Sequence, residues 1–439
     1  MKRTSRGIRT ANRYRVLRQV IADQPVSRPR LAVATGLSTA TVATLVGELV
    51  ALGLLVEAGY EDSGGGRPRG LLAVNPSDAA LVGVDVSETY VHAEVFDLAW
   101  TVLSRAERQL CLGDAAPDRV VNAIAATVGA AVGHRAATGR QVLGVGVGIP
   151  GVLDRRTGVS LYAPAWGWQD VPLLRLLAER LPHRLFLDNP LHACLAAELW
   201  SGAARGREDA VVVYLGTGVG AGFALGGEPH RGRSNSAGEW GHTTLVMDGR
   251  LCHCGRHGCV ETYVGAPGIV QNLRELNPLS PLLHPDDPAA TIASLAAACE
   301  AGDPVAEKAV RDTAAYLGAA VADLVNLLDP ELVVLSGWVA RRLGAPLLRQ
   351  VRQAVDRHAL RRPGDGTQIV LSPVRANPVS LGAASSALEG VLAPGGQGGT
   401  SHAATAGGSL RPGPFPPGPA SRTLGPARHG TTREAGSRG

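Results

Sequence analysis

Ala210-Val211-Val212-Val213-Tyr214-Leu215-Gly216-Thr217-Gly218-Val219-Gly220-Ala221-Gly222 decides the fold class. An unbroken apolar run reads as a strand buried on both faces, and the glycines after it let the backbone turn tightly and approach another group closely. Working outward, Leu81 to Val86, Val142 to Ile149 and Leu332 to Leu335 share that apolar, glycine-punctuated character, and helical stretches separate them. Such alternation predicts an α/β architecture. The stretches 81–86 and 210–215 each lead into a candidate phosphate loop, so two similar halves are expected; no short tandem repeat is present.

The chain has 439 residues, enough for two or three domains, with 45% hydrophobic and 18% charged residues. That composition excludes a wholly disordered chain. Six cysteines are too few for a disulfide scaffold. No apolar run reaches membrane-spanning length, and no apolar core follows the basic start Met1 to Arg15. The expectation is a soluble cytoplasmic protein without a membrane partner. The net charge of +5 divides into +5 over residues 1–78, −4 over 79–390 and +4 over 391–439. Basic ends suggest a polyanionic partner.

Residues 1–78 read as three helices and a wing. Asn12 to Asp23 places Val16, Leu17, Val20 and Ile21 on one face. Ser27 is positioned to cap a second helix with Pro29 in its first turn, ending at Gly36, and Ser38 to cap a third carrying Val42, Leu45, Val46 and Leu49. Helix, glycine turn and helix is the helix-turn-helix pattern. A strand near Gly53 to Val56, a turn from Asp62 to Gly70 and a return strand from Leu71 to Val74 complete a winged unit. In such units the second helix of the pair enters the major groove by its N-terminus. Ser38, Thr39 and Thr41 are therefore candidate base contacts, Arg28 and Arg30 candidate phosphate contacts, and Arg67 and Arg69 of Gly66-Arg67-Pro68-Arg69 candidate minor-groove readers. The competing reading is a protein–protein module with a flexible arginine linker. Nine Lys or Arg in the first thirty residues favour DNA.

Cys252-His253-Cys254-Gly255-Arg256-His257-Gly258-Cys259 gives three thiols within eight residues. A closed tetrahedral zinc site needs a fourth ligand; His242 is the leading candidate, with His253 and His257 as rivals. Such a site would be structural. The alternative is three unliganded thiols. Cys111, Cys194 and Cys299 stand alone and read as buried filler. After about Leu392 the chain turns to Gly, Pro, Ser, Thr and Arg, a composition expected to stay disordered.

Together these pieces resemble the ROK family, named for repressors, open reading frames and kinases, over residues 12 to about 390. The resemblance rests on Glu239-Trp240-Gly241-His242, on Cys252 to Cys259 followed by Glu261, on Gly148-Ile149-Pro150-Gly151, and on Gly216 to Gly222. It implies an actin-like (ribonuclease H-like) pair of α/β lobes, about 79–187 and 188–390, with a sugar site in the cleft, preceded by a winged helix-turn-helix as in the repressor branch. It also implies that His242, Cys252, Cys254 and Cys259 bind zinc. Asn189, Glu239, His242 and Glu261 would contact the sugar, because amides and carboxylates meet paired hydroxyls well.

The departures from the family pattern fall on catalysis. The first phosphate loop of such kinases reads Asp-any-Gly-Gly-Thr; here Asp85-Val86-Ser87-Glu88-Thr89 lacks both glycines and carries a carboxylate where polyphosphate would lie. The general-base motif Asn-Asp-any-Asn becomes Asn189-Pro190-Leu191-His192, and proline accepts no proton. Asp188 could replace the base only after a one-residue slip. The second glycine loop is intact. Leu335-Ser336-Gly337-Trp338 puts an indole where kinases meet adenosine, and Ala165 stands where relatives often have Asn. The expectation is a sugar-responsive transcriptional regulator, a repressor rather than an activator, without catalytic residues. It would act as a homodimer or dimer of dimers on a pseudo-palindromic duplex operator. The alternatives are an ATP-dependent hexose or aminosugar kinase fused to a DNA-binding head, and a DNA-binding protein that has lost its effector.

Overall fold

A computed structural model describes residues 5–61, 69–110, 115–360 and 366–392. Arg67, most of the wing turn, Cys111 and the tail from residue 393 lie outside the described residues.

The head is built from α1 (Ser5–Asp23), β1 (Val26–Ser27), α2 (Arg28–Thr35), α3 (Thr39–Ala51), β2 (Leu55–Glu61) and β3 (Arg69–Val74), with strand order β1-β3-β2. Gly36 ends α2 in the left-handed conformation (φ 67°), and the two helices meet at 113°, within the range of helix-turn-helix pairs. Ser38 caps α3 as expected, its hydroxyl accepting from Thr41 N at 3.2 Å. Ser27 makes no such cap bond; it is buried in β1 paired with β3. Val42, Leu45, Val46 and Leu49 are buried together against Val16, Leu17 and Val20.

The body holds two five-stranded sheets of one topology. The first contains β4 (Ala79–Val86), β5 (Tyr90–Phe96), β6 (Val102–Gln109), β7 (Gln141–Gly148) and β11 (Leu185–Asp188), in the order β11-β7-β4-β5-β6. The intervening α4 (Pro117–Val132), β8 (Val152–Asp154), β9 (Val159–Ala163), β10 (Trp168–Val171) and α5 (Leu173–Ala178) include a small antiparallel sheet, β10-β9-β8. After α6 (Pro190–Ser201), the second sheet contains β12 (Ala210–Leu215), β13 (Val219–Leu225), β14 (Glu228–His230), β15 (Leu332–Ser336) and β16 (Gln368–Leu371), in the order β14-β13-β12-β15-β16. In both sheets the first strand pairs antiparallel with the next and parallel with the fourth. The two halves foreseen from the strand-loop repeats are therefore equivalent in topology.

The second sheet is covered by α7 (Glu261–Val264), α8 (Ala266–Leu276), α9 (Pro288–Glu300), α10 (Pro304–Leu328) and α11 (Gly337–His358), which share one apolar core with β12 and β15. The chain then returns: α12 (Pro378–Leu392) lies across β4 and β7 of the first sheet and packs against α6. Small residues make that crossing possible. A Cβ at Gly146 would stand 1.9 Å from Ala383 O, and one at Gly382 1.6 Å from Ala193 O. Among the described residues no single helix is long and apolar enough to cross a membrane.

The head is joined to the body by a continuous core. Val16, Leu17 and Val20 belong to the same buried cluster as Leu81, Phe96, Trp200 and Leu388. Tyr14 donates its hydroxyl to Glu389, and Arg18 donates to Leu199 O.

Candidate functional site

The His/Cys cluster, which could hold a metal ion, is a local product of the sequence. Cys252 N donates to Arg256 O and Gly255 N to Cys252 O, which folds the cysteine stretch into a knuckle. Gly258, with φ 75° and a Cβ position 1.7 Å from Val246 O, admits no side chain there. The short helical turn Glu239–His242 brings His242 alongside, with Nδ1 3.6 Å from Cys252 Sγ, while Cys254 Sγ and Cys259 Sγ are 3.7 Å apart. Metal–sulfur bonds of about 2.3 Å and metal–nitrogen bonds of about 2.05 Å at tetrahedral angles require sulfur–sulfur edges of about 3.8 Å and nitrogen–sulfur edges of about 3.6 Å. Both edges fit, and the four ligand atoms lie within 4.8 Å of one another. The rival His257 turns to Gly249 O, whereas His253 joins His242 and Glu261 in an adjoining triad. Burial holds the His242 pKa below its ordinary value, favouring the neutral imidazole that a metal needs. Of the lone cysteines that are described, Cys194 is buried and Cys299 half-buried.

Glu261 connects this cluster to the glycine hairpin. One carboxylate oxygen accepts Val219 N at 2.9 Å, and the other lies 3.0 Å from His253 Nδ1. Gly218 leaves room for it, since a Cβ there would stand 3.3 Å from the same carboxylate. Glu239 lies one turn before His242; burial and then the charge of Glu261 raise its pKa. The two acids therefore share one electrostatic neighbourhood beside the His/Cys cluster.

Asn189 caps α6. Its Oδ1 accepts Leu191 N at 2.8 Å, and its amide donates to Gly151 O at 3.2 Å. One lone pair and one amide hydrogen remain for a ligand. Pro190 occupies the first helical position, where a missing N–H costs nothing.

Asp188, the only carboxylate adjacent to the base motif, is committed elsewhere. It is 2% exposed; Arg231 Nη1 donates to both its oxygens at 2.8 and 2.7 Å, His192 Nδ1 lies 3.2 Å away and Arg155 Nε 3.6 Å away. Burial raises its pKa, but these cationic and hydrogen-bonding partners outweigh burial and hold it well below the ordinary carboxylate value. Sequence reading missed this constellation, because Arg231 lies 43 residues from Asp188.

The first phosphate loop is also internally occupied. Asp85 is buried and accepts from Asn377 Nδ2 at 2.8 Å and Tyr90 Oη at 2.9 Å. Burial raises its pKa above the usual range, ahead of the lowering by those two partners. Ser87 Oγ accepts the N–H groups of Thr89 and Tyr90, both at 3.2 Å. Glu88 is exposed at the turn. Trp338 lines an open cavity of about 510 Å³ with Glu300, Arg341 and Arg342. Ala165 is exposed in a short turn beside Trp166 and Trp168, whose rings meet at a tilt of 42°.

In the head, Thr39 and Arg30 are exposed, while Thr41 Oγ1 is 2.8 Å from the capping Ser38 hydroxyl. Arg28 lies 3.4 Å from Glu57 of the wing strand, and Arg69 is exposed at the start of β3. Other head arginines brace the fold: Arg9 and Arg13 both pair with Glu48, and Arg15 donates to Thr35 O.

Two lobes of one topology around a glycine hairpin, beside a His/Cys cluster, define a sugar-kinase-like body carrying a helix-turn-helix head. The chain belongs to the ROK family, whose sequence pattern matches residues 81–389. It is 28% identical over 394 residues to a putative xylose repressor of Caldicellulosiruptor sp. (strain Rt8B.4), covering 88% of this chain and 97% of that protein. Such a span takes in part of the head as well as the body. A ROK family glucokinase from Streptomyces griseus, solved with glucose and AMPPNP, is 30% identical with a TM-score of 0.62, over 70% of this chain and 98% of its own. A ROK family transcriptional regulator, a homologue of the E. coli Mlc protein, shares the fold at a TM-score of 0.71 and 24% identity, over 88% of this chain and 98% of its own.

Proposed function

We propose that this chain is a sugar-responsive, DNA-binding transcriptional repressor whose kinase-like body senses its effector without phosphorylating it. The observation that carries this reading is Pro190 at the base position, together with the engagement of Asp188 by Arg155, Arg231 and His192. A general base works best with a pKa near the operating pH and within reach of its proton. Asp188 has neither property. The resemblance to repressors across head and body supports the same reading.

In this proposal residues 1–78 form the DNA-binding domain, 79–390 the sensor with lobes of about 79–187 and 188–390, and 391–439 a tail that lies almost wholly outside the described residues. Thr39, with Ser38 and Thr41 holding the helix start, faces the bases; Arg28 and Arg30 hold phosphates, and Arg67 and Arg69 serve the wing. Asn189, Glu239, His242 and Glu261 line the sugar site. His242, Cys252, Cys254 and Cys259 hold a structural zinc ion, which fixes the loop between Glu239 and Glu261. Effector binding biases the two lobes toward one arrangement, and that bias alters the operator affinity of a cytoplasmic homodimer or dimer of dimers.

Footprinting of the full chain on DNA selected from a random duplex library tests the reading. Protection at physiological salt that D-xylose or D-glucose weakens is expected; no protected site would overturn it. The intact glycine hairpin and the glucokinase likeness favour one second reading, a sugar kinase with a DNA-binding head. A coupled ATP assay across hexoses and aminosugars decides: turnover well above background would establish that reading.

A further inference from the structure

The joint between head and body contains one carboxylate and two donors that can use it. Glu389 of α12 accepts the Tyr14 hydroxyl of α1. The Tyr14 ring meets Trp200 of α6 edge-on, centroids 4.9 Å apart at 89°, and Trp200 meets Trp100 at 5.5 Å. Trp200 is 2% exposed, and its indole N–H lies near Glu389 without making a well-formed hydrogen bond. A buried donor left unpaired is rare in native proteins and calls for a reason. Burial raises the pKa of Glu389, while the Tyr14 hydroxyl, then the charges of Arg231 and Arg155, and last the Trp200 indole lower it, so the indole belongs to the carboxylate's surroundings.

Helix α6 joins this place to the proposed effector cleft. At its N-terminus Asn189 forms the cap, and His192 reaches Asp188 and Ala237 O. At its other end Leu199 O accepts Arg18 of α1. The helices α6 and α12 come into close backbone contact where Gly382 meets Ala193 O. Trp200 and Glu389 each lie seven residues beyond that contact, about 10 Å along their helices. Both helices reach across the lobes: α6 packs on strands of the second sheet while its Trp200 shares a core with Leu81 and Phe96 of the first, and α12 packs on the first sheet while its Val379 and Ala383 share a core with Val212 and Val334 of the second, so a change in lobe arrangement is felt at this crossing. A rotation of about 10° moves Trp200 past Glu389 by about 2 Å, the size of helix shifts that operate known switches.

We propose that Tyr14, Trp200 and Glu389 are positioning residues that carry effector occupancy to the DNA-binding head, Glu389 exchanging the Tyr14 hydroxyl for the Trp200 indole N–H as α6 pivots on α12. Release of Tyr14 loosens one of the ties that hold α1, and with it the helix-turn-helix, against the body. This proposal rests on the sugar-responsive reading given above.

The test uses the full chain, D-xylose and D-glucose as probes, and an operator duplex selected with the wild type. Calorimetry gives sugar affinity, and fluorescence anisotropy gives operator affinity with and without sugar. In the wild type the sugar is expected to weaken operator binding about tenfold or more, within the usual range of allosteric coupling. In Tyr14→Phe and Trp200→Phe that ratio is expected to fall below about threefold while sugar affinity is unchanged. A merely structural role would weaken operator binding equally with and without sugar, leaving the ratio intact. An unchanged ratio in Tyr14→Phe, which retains the ring and its packing, overturns the proposal. If neither sugar binds the wild type, the sugar-responsive reading itself fails and this inference falls with it, before any variant is compared.

Discussion

Replacing Asp188 with Asn separates a structural ion-pair node from a displaced catalytic base. The wild-type carboxylate faces Arg231, Arg155 and His192, and is 2% exposed. Removing one partner of a buried charge pair costs about 3–5 kcal/mol. The side chains of Arg155 and Arg231 are 39% and 22% exposed, so the stranded guanidinium groups recover part of their hydration. An expected loss of about 2–3 kcal/mol at pH 7 follows. It is read as a lowered urea midpoint with an unchanged m-value. The pH dependence supplies the second criterion. A depressed folded pKa gives stability that is fully present above the unfolded value of about 3.9, and that is lost as pH falls through the lower folded value. The difference between wild type and Asp188→Asn should therefore stay flat from pH 7 to pH 5 and shrink only in stronger acid. A difference that faded near pH 6, or a variant as stable as wild type at pH 7, would refute the reasoning. Either result would mean a carboxyl that titrates where a base must.

Further outcomes follow from the same geometry. Purified protein is expected to carry one zinc per chain by elemental analysis; Cys259→Ser should lose it and unfold at lower temperature, since a structural metal binds with and stabilises the fold. Gly146→Ala, with its Cβ 1.9 Å from Ala383 O, should cost at least about 1–3 kcal/mol of stability in urea melts by forcing α12 off the sheet. Ser38→Ala removes the cap on α3 and should cost about 0.5–2 kcal/mol, seen as faster amide exchange across Thr39 to Val42. Arg30→Ala should reduce the slope of log operator affinity against log salt by about 0.9 per protomer, about 1.8 for a homodimer, if that exposed guanidinium binds one phosphate.

What was legible in the sequence was local or periodic. Parallel strands buried on both faces write themselves as apolar runs, which is why β4, β7, β12 and β15 stand out. The clustering of His242 with Cys252, Cys254 and Cys259 was legible because they form one short stretch. The helix-turn-helix showed through its caps and the spacing of its core residues. The use of the head's charge was hidden. Its arginines suggested a DNA surface, but Arg9, Arg13, Arg15 and Arg18 hold partners inside the protein. Helix α12 was equally opaque. It carries Gly, Ala and Ser where an amphipathic helix would show a stripe, because its task is close approach, and nearly every residue from Pro378 to Leu388 is buried. Long-range pairs were out of reach altogether: Tyr14 and Glu389 are 375 residues apart.

Pro190 connects the lost base to the retained helix. In a kinase this position must present a carboxylate to a sugar hydroxyl, so the start of the helix serves chemistry. Here a proline at the first helical position presets the backbone, and Asn189 satisfies the Leu191 N–H. The result is a well-capped start to a helix whose far end carries Trp200 to the head. Stiffness matters for such a helix in the proposed regulator, because a frayed first turn would absorb a cleft movement before it reached α1. Asp188 contributes at the same point: with His192 linking it to Ala237 O, it ties the first turn of α6 to the loop following β14. On this reading Pro190 and the Asp188 ion pairs favour transmission over proton transfer, and both act at the end of α6 where an effector would be felt first.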